Sequence, residues 1–185
     1  MKTTLILNGS PRPEGNTAYL ISELKKELQG QVIELSAFRD NIAPCLDCRG
    51  CWTTAKCVVH DQMDLIYEDA FDNMVIASPI YFGTLPGEVL SVMSRLQPWH
   101  AATYFLNKPL ELRPKKAAVI LTGGAKGNLS MAQHHLRAFF RMVNAQGYED
   151  HTATSLQTDI LPSWEDREAV EAVENLARWL NHGEN

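Results

Sequence analysis

Four cysteines fall within thirteen consecutive positions, Cys45, Cys48, Cys51 and Cys57, and no others occur in the chain. Cysteines that merely pack a core are expected to scatter, so this clustering points to one local purpose. A disulfide framework is improbable in a reducing compartment. The spacing is C-x2-C-x2-C-x5-C. Structural zinc is usually held by two separated CxxC pairs, or by cysteine with histidine. Three cysteines at successive three-residue steps are more typical of iron–sulfur ligation. Reduced thiols packing a long loop are the main alternative, and zinc comes third.

The second group with chemistry in it is Asn8-Gly9-Ser10-Pro11-Arg12-Pro13-Glu14-Gly15-Asn16-Thr17. It contains no GxGxxG, so the dinucleotide fingerprint is absent. It offers hydroxyls, an amide, a guanidinium and backbone N–H groups directly before a helix pattern. That inventory suits a terminal phosphate, whose exposed oxygens need many donors. Read alone, the segment is better taken as a turn with helix-capping residues; its position after the first strand and directly before a helix favours the phosphate. Two further loops carry a weaker signal. Residues 77–87, Ala-Ser-Pro-Ile-Tyr-Phe-Gly-Thr-Leu-Pro-Gly, set Tyr81 and Phe82 among prolines and glycines, which suits a flat apolar ledge for a planar ligand. Residues 122–127, Thr-Gly-Gly-Ala-Lys-Gly, let backbone approach such a ligand from its other edge.

Strand and helix patterns alternate along the elements that must position these loops. Residues 4–7 read as a buried strand ending in Asn-Gly. A helix is predicted over 16–28, with Thr17, Leu20, Ile21, Leu24 and Leu28 inward and Gly30 as its stop. Residues 31–35 form a second strand. Asp61 caps a helix that turns Met63, Ile66, Tyr67 and Ala70 inward. Residues 74–77 form a third strand, a helix begins near Pro86, and residues 117–121 form a fourth strand. Ala132, Leu136, Phe139, Phe140 and Val143 mark the next helix. A weaker fifth strand covers roughly 148–155. The last helix starts after Pro162 with Ser163 as cap, and buries Ala169, Val173, Leu176 and Leu180.

Five strands separated by helices require a parallel sheet covered on both faces. Right-handed crossovers make this a three-layer doubly wound α/β fold, with expected strand order 2-1-3-4-5. No linker or repeat interrupts residues 1–185, so one domain is expected. Ligands in such sheets bind outside the carboxyl ends of the strands, where strand order reverses. That rule selects the loops after strands one, three and four. The loop after strand two, which carries the cysteines, opens on the same edge.

Together these segments resemble the flavodoxin-like NADPH-dependent FMN reductase family. Its phosphate loop reads Gly-Ser-Pro-Arg, a short spacer, then Asn-Thr, and its third-strand loop reads Ser-Pro-x-Tyr-x-Gly. The resemblance implies that Ser10, Arg12, Asn16 and Thr17 hold the phosphate of FMN. It implies that Pro79, Ile80, Tyr81, Phe82 and Gly83, with Thr122, Gly123 and Gly124, line the flavin ring. NADH or NADPH would supply electrons, and a quinone, free flavin, nitro- or azo-compound would accept them. No side chain is nominated as catalytic base.

The cysteine spacing is similar to that of the iron–sulfur flavoproteins, a branch of the same superfamily in which four cysteines hold a 4Fe–4S cluster near the FMN. By that resemblance Cys45, Cys48, Cys51 and Cys57 are metal ligands and ferredoxin is a partner. Two positions depart from the branch: Gln62 and Ser94 stand where relatives tend to carry Asp. A non-enzymatic flavin electron carrier is the third class.

Net charge is −5 with no basic run, which argues against nucleic acid. The apolar runs are too short to cross a bilayer, and the N-terminus does not resemble a signal peptide. A cytoplasmic location is expected. His134 and His135 are adjacent on a helix and read as a solvated face. Trp99, Tyr104 and Phe105 form an apolar patch for dimerisation or are covered by their own subunit. The resemblance favours a homodimer or tetramer.

Overall fold

The structure, a computed structural model, describes residues 1–182. Its strands are β1 (Thr3–Asn8), β2 (Gln31–Ser36), β3 (Asn73–Pro79), β4 (Lys115–Gly123), β5 (Ala145–Gln146) and β6 (Thr152–Leu156). Its helices are α1 (Asn16–Glu27), α2 (Cys51–Thr54), α3 (Asp64–Tyr67), α4 (Gly87–Ser94), α5 (Gln97–Tyr104), α6 (Ser130–Met142) and α7 (Arg167–Asn181). All strand pairs are parallel, in the order β2-β1-β3-β4, with β5 and β6 both beside β4.

Side-chain alternation in the central strands builds two cores. Leu5, Leu7, Met74, Ile76, Ala117, Val119 and Leu121 point to one face, where Val89, Trp99, Phe139 and Phe140 cover them. Ile6, Val75, Ala77, Ala118 and Ile120 point to the other, under Leu20 and Leu24 of α1 and Val173 and Leu176 of α7. Strands buried on both faces read as continuous apolar runs for this reason. Because β1 lies between β2 and β3, the chain reverses its direction of travel across the sheet there. A crevice therefore opens at the carboxyl ends of β1, β3 and β4.

Four expectations are corrected. The fifth strand is two short segments: β5 pairs with Lys115 and Lys116, and β6 with residues 119–123 of β4. The chain leaves the sheet between them at Gly147, where Trp179 lies so close that a Cβ would stand 2.7 Å from its ring. The helix after Asp61 is a single turn, and Ala70 is exposed. Ser163 does not cap the last helix; Asp166 does, accepting from the Ala169 N–H at 3.1 Å. Ser163 is instead buried and donates to Ser155 Oγ at 2.9 Å. Finally, Trp99 is no part of a surface patch, being 5% exposed, whereas Tyr104 and Phe105 are solvent-facing.

Candidate functional site

The loop after β1 is held open by its own polar contacts. The Ser10 N–H donates to Asn8 Oδ1 at 2.9 Å, and the Arg12 N–H donates to Ser10 Oγ at 3.2 Å. Helix α1 follows with Gly15 as N-cap, which supplies no side-chain acceptor. The first bond of the helix is from the Tyr19 N–H to the Gly15 carbonyl, 2.8 Å. The N–H groups of Asn16, Thr17 and Ala18 thus have no intrahelical acceptor and form the positive end of the helix dipole. Among the described residues, the exposed Arg12 guanidinium has no hydrogen-bond or ion-pair partner. Free helical N–H groups beside an unpaired guanidinium are the donor set a phosphate takes.

The other two loops meet this one. Thr17 Oγ1 lies 2.7 Å from Thr122 Oγ1, both buried, and the Ile80 N–H donates to the Thr122 carbonyl at 2.8 Å. A cavity of about 210 Å³ results, lined by Ser10, Arg12, Gly15, Asn16 and Thr17 on one side. Pro79, Ile80, Tyr81, Thr122, Gly123 and Gly124 line the other. Asn16 also turns its side-chain oxygen toward the Ser163 N–H, 2.8 Å away, tying the start of α1 to the approach to α7.

Phe82 and Gly83 are outside the lining. Tyr81 and Thr84 exchange two backbone hydrogen bonds of 3.0 Å. Between them Phe82 and Gly83 have φ of 52° and 78°, as a type I′ hairpin turn requires. The Phe82 ring stands in solvent, so the expected two-ring ledge is reduced to Tyr81.

Thr158 and Asp159 also line the cavity, although nothing in the sequence analysis singled them out. The Thr158 N–H donates to the Gly123 carbonyl at 2.9 Å. The Asp159 carboxylate lies over Gly124, where a Cβ would be 2.4 Å from Oδ2. Their only signal was polar residues following the last strand at the same sheet edge.

Glu34 orients the loop after β1 from behind. It accepts from Asn8 Nδ2 at 2.7 Å and from Lys25, so Asn8 presents its oxygen to the Ser10 N–H. Burial raises the Glu34 pKa, but the hydrogen bonds from Lys25 and Asn8 outweigh it and the net shift is downward. A depressed carboxylate pKa stabilises the fold above the ordinary value of about 4.3. That contribution is lost as pH falls through the depressed value. Unfolding titrations of wild type and E34Q are therefore expected to differ by a constant amount from pH 7 down to about 5, and the difference should shrink as pH falls below about 4.3 and through the depressed value. A gap that persists unchanged to the acid limit contradicts this role.

The cysteine loop leaves β2, makes the single turn α2 and returns at Asp61. All four cysteines are free thiols lining one cavity of about 30 Å³ together with Trp52, Val58 and Arg95. Asp47 and Arg49, which separate the cysteines, have φ of 47° and 60°, and Gly50 is right-handed. Such alternation gathers backbone N–H groups into an anion-binding concavity of the kind found at phosphate and iron–sulfur sites. Trp52 covers one side, 4.5 Å from the Phe105 ring and under Arg49. Burial pushes the Cys51 thiol pKa up, a backbone hydrogen bond opposes it, and the other three cysteines add to the rise. Cys51 is thus within electrostatic reach of the other three sulfurs.

Among the described residues, no three His, Cys, Asp or Glu side chains converge on a single ion. One zinc at about 2.3 Å from each sulfur would require that convergence. A cubane, in which every thiolate binds a different iron, holds its cysteines farther apart around a larger core. Four free cysteines lining one cavity are the donor set that a 4Fe–4S cluster takes.

Arg95 closes this loop and is 1% exposed. It meets Asp61 through both terminal nitrogens, Nη1 at 2.7 Å and Nη2 at 3.3 Å. Nη1 also donates to the Ala43 carbonyl at 2.8 Å and Nη2 to the Val59 carbonyl at 3.0 Å. Asp61 in turn accepts from the Ala43 and Met63 N–H groups. Burial raises the Asp61 pKa, but the Arg95 hydrogen bond and the two backbone donors reverse it, leaving the carboxylate below its ordinary value.

A parallel β2-β1-β3-β4 sheet with a donor-rich loop after β1 that shares one cavity with the loops after β3 and β4 defines a flavodoxin-like fold. The profile of the NADPH-dependent FMN reductase family matches residues 1–158. The chain belongs to that family. Among curated relatives, an iron–sulfur flavoprotein of Methanocaldococcus jannaschii is 30% identical over 125 residues, 65% of this chain and 61% of the relative. An iron–sulfur flavoprotein of Methanosarcina thermophila is 30% identical over 131 residues, 68% of this chain and 65% of the relative. The chain therefore spans slightly under two thirds of these relatives. Among solved structures, an FMN-dependent NADH-azoreductase of Bacillus anthracis in complex with FMN aligns with a TM-score of 0.73 at 16% identity, covering 98% of this chain and 100% of that one. An NAD(P)H:quinone oxidoreductase of Methanothermobacter marburgensis aligns at 0.70 and 12% identity, covering 100% and 99%. At these identities the structural likeness establishes the shared fold.

Proposed function

We propose that the chain acts, as one domain, as an FMN-dependent NAD(P)H oxidoreductase that passes electrons to a small acceptor such as a quinone, a flavin or a nitro- or azo-compound. The observation that carries this reading is the convergence of three loops on one cavity that has an unpaired guanidinium and a free helix N-terminus at one end. Bound FMN would accept hydride from a reduced nicotinamide at its central-ring nitrogen and hand on the electrons. Ser10, Arg12, Asn16 and Thr17 bind and charge-match the phosphate. Pro79, Ile80 and Tyr81 wall the ring on one side. Thr122, Gly123 and Gly124 admit it from the other, where a side chain at Gly124 would collide with Asp159. The turn at Phe82 and Gly83 fixes the Tyr81 backbone. The relatives and solved structures, by their names, point to the same flavin chemistry.

Among the described residues, no helix is long and apolar enough to cross a membrane, and a cytoplasmic homodimer or tetramer is the setting we favour. The exposed Tyr104 and Phe105 offer apolar surface for such an assembly. Purified protein is expected to carry FMN, or to bind it on addition with quenching of flavin fluorescence, and to oxidise NADH or NADPH with a quinone present. Protein that neither retains nor binds FMN refutes the reading.

The shared cysteine cavity favours a further element, a 4Fe–4S cluster on Cys45, Cys48, Cys51 and Cys57. The bound cluster would supply single electrons, from ferredoxin for example, to or from the flavin. Anaerobic purification should yield roughly four irons per chain and a broad visible absorption beneath the flavin bands. Iron below about one atom per chain rejects the cluster and leaves the flavin assignment intact.

A further inference from the structure

Arg95 has one donor left over. Its guanidinium carries five N–H groups. Four are used, two on Asp61 and one each on the carbonyls of Ala43 and Val59. The fifth, on Nε, is buried without a partner. A buried donor left unmade is costly and calls for an explanation. Arg95 lines the cavity of the four cysteines, so a ligand in that cavity would meet the residue carrying the free donor.

Resting on the cluster reading above, we infer that the Arg95 Nε–H donates a hydrogen bond to the iron–sulfur group held by Cys45, Cys48, Cys51 and Cys57, on a thiolate or sulfide sulfur, and so sets its reduction potential. The chemistry matches on three counts. The group is anionic, Arg95 is a buried cation that stays protonated, and sulfur accepts N–H donors. The side chain is also stiff: Asp61 and the two carbonyls hold its terminal nitrogens, and the Tyr67 hydroxyl holds its main-chain carbonyl. Hydrogen bonds to sulfur favour the reduced, more negative cluster and raise its potential. Arg95 is thus a positioning residue acting on the cluster from outside the ligand set.

The test compares two variants of the anaerobically purified holoprotein by redox titration of the cluster absorption and by iron release to a chelator. R95K keeps the positive charge and deletes Nε; its cluster potential should fall and iron release should quicken about tenfold. D61N keeps Nε and weakens the brace; removing a nearby negative charge, it should not lower the potential. FMN content reports that each variant is folded. If R95K does not fold, the neutral pair D61N/R95M carries the same expected fall. An R95K potential equal to wild type, or an equal fall in D61N, makes Arg95 a brace only and overturns the inference. Wild type that holds FMN but no iron overturns both this inference and the cluster reading, and is told apart by that iron assay.

Discussion

Replacing Asp61 by alanine is expected to destabilise the protein by roughly 3–5 kcal/mol, the largest effect of any single side-chain truncation considered. Arg95 and Asp61 are 1% and 3% exposed at their side chains. Their pairing does not make the buried bridge a strong net stabiliser. Two desolvated charges attract at close range, yet an apolar pair of the same volume is often as stable. The penalty arises from what alanine leaves behind: a buried guanidinium without its counter-ion and the N–H groups of Ala43 and Met63 without acceptors. Both ends of the cysteine loop hang on that carboxylate, so the loop should loosen with the fold. The check is urea unfolding of wild type, D61A and D61N, read as a shift of midpoint at unchanged slope. Asparagine keeps an acceptor and is expected to cost less. A D61A loss under about 1 kcal/mol would place Asp61 among exposed pairs and contradict the burial described above.

Gly9→Ala is expected to lose flavin binding and to destabilise the fold by about 1–3 kcal/mol, the cost of overpacking a filled interior. Gly9 follows β1 directly and its N–H donates to the Ala77 carbonyl at 2.8 Å. A Cβ there would stand 2.5 Å from Val89 Cγ2 and 2.7 Å from Ser78 Oγ. Neither neighbour can yield cheaply, since Val89 and Ser78 are both fully buried. Relief must come from moving the start of the phosphate loop or the end of β3, and both border the flavin cavity. FMN affinity should therefore fall at least tenfold, a factor that corresponds to about 1.4 kcal/mol. Equilibrium dialysis with FMN, beside thermal unfolding of the FMN-free protein, separates the two effects. Unchanged affinity with lowered stability would show that the loop tolerates displacement.

Much of this molecule was legible in one dimension because burial has a period. Residues 5–7, 74–77 and 117–121 are apolar without interruption, and strands covered on both faces need that. Helix periodicity likewise located the inward faces of α1, α6 and α7. Once the elements alternate, handedness and the carboxyl-edge rule place the loops at Ser10, Pro79 and Thr122 side by side. Contacts between distant polar residues were not legible. Asp61 resembled a helix cap because a carboxylate before a helical pattern is the cap signature, and it does accept from Met63. Its main partner, Arg95, ends a helix, where a cation ordinarily serves the dipole in solvent. Ser163 and Asp166 are both competent caps three residues apart. The choice between them was made by Ser155, which takes Ser163 as one partner and donates to Asp166 Oδ2 at 2.8 Å.

The sequence by itself determined the alternating elements, the strand order and the carboxyl edge on which the phosphate loop and the four cysteines lie. These follow from local propensity, period and chain handedness, each readable within a short window. The tertiary structure alone decided that β5 and β6 share one edge of β4, that Phe82 faces solvent, that Asp159 overlies Gly124, and that Arg95 is buried against the cysteine loop with one donor unspent. The Phe82 turn is closed locally by Tyr81 and Thr84; the other outcomes depend on which residues meet across 30 or more positions. A pattern of apolar positions specifies that a surface is covered, but leaves open which polar group ends up beneath the cover.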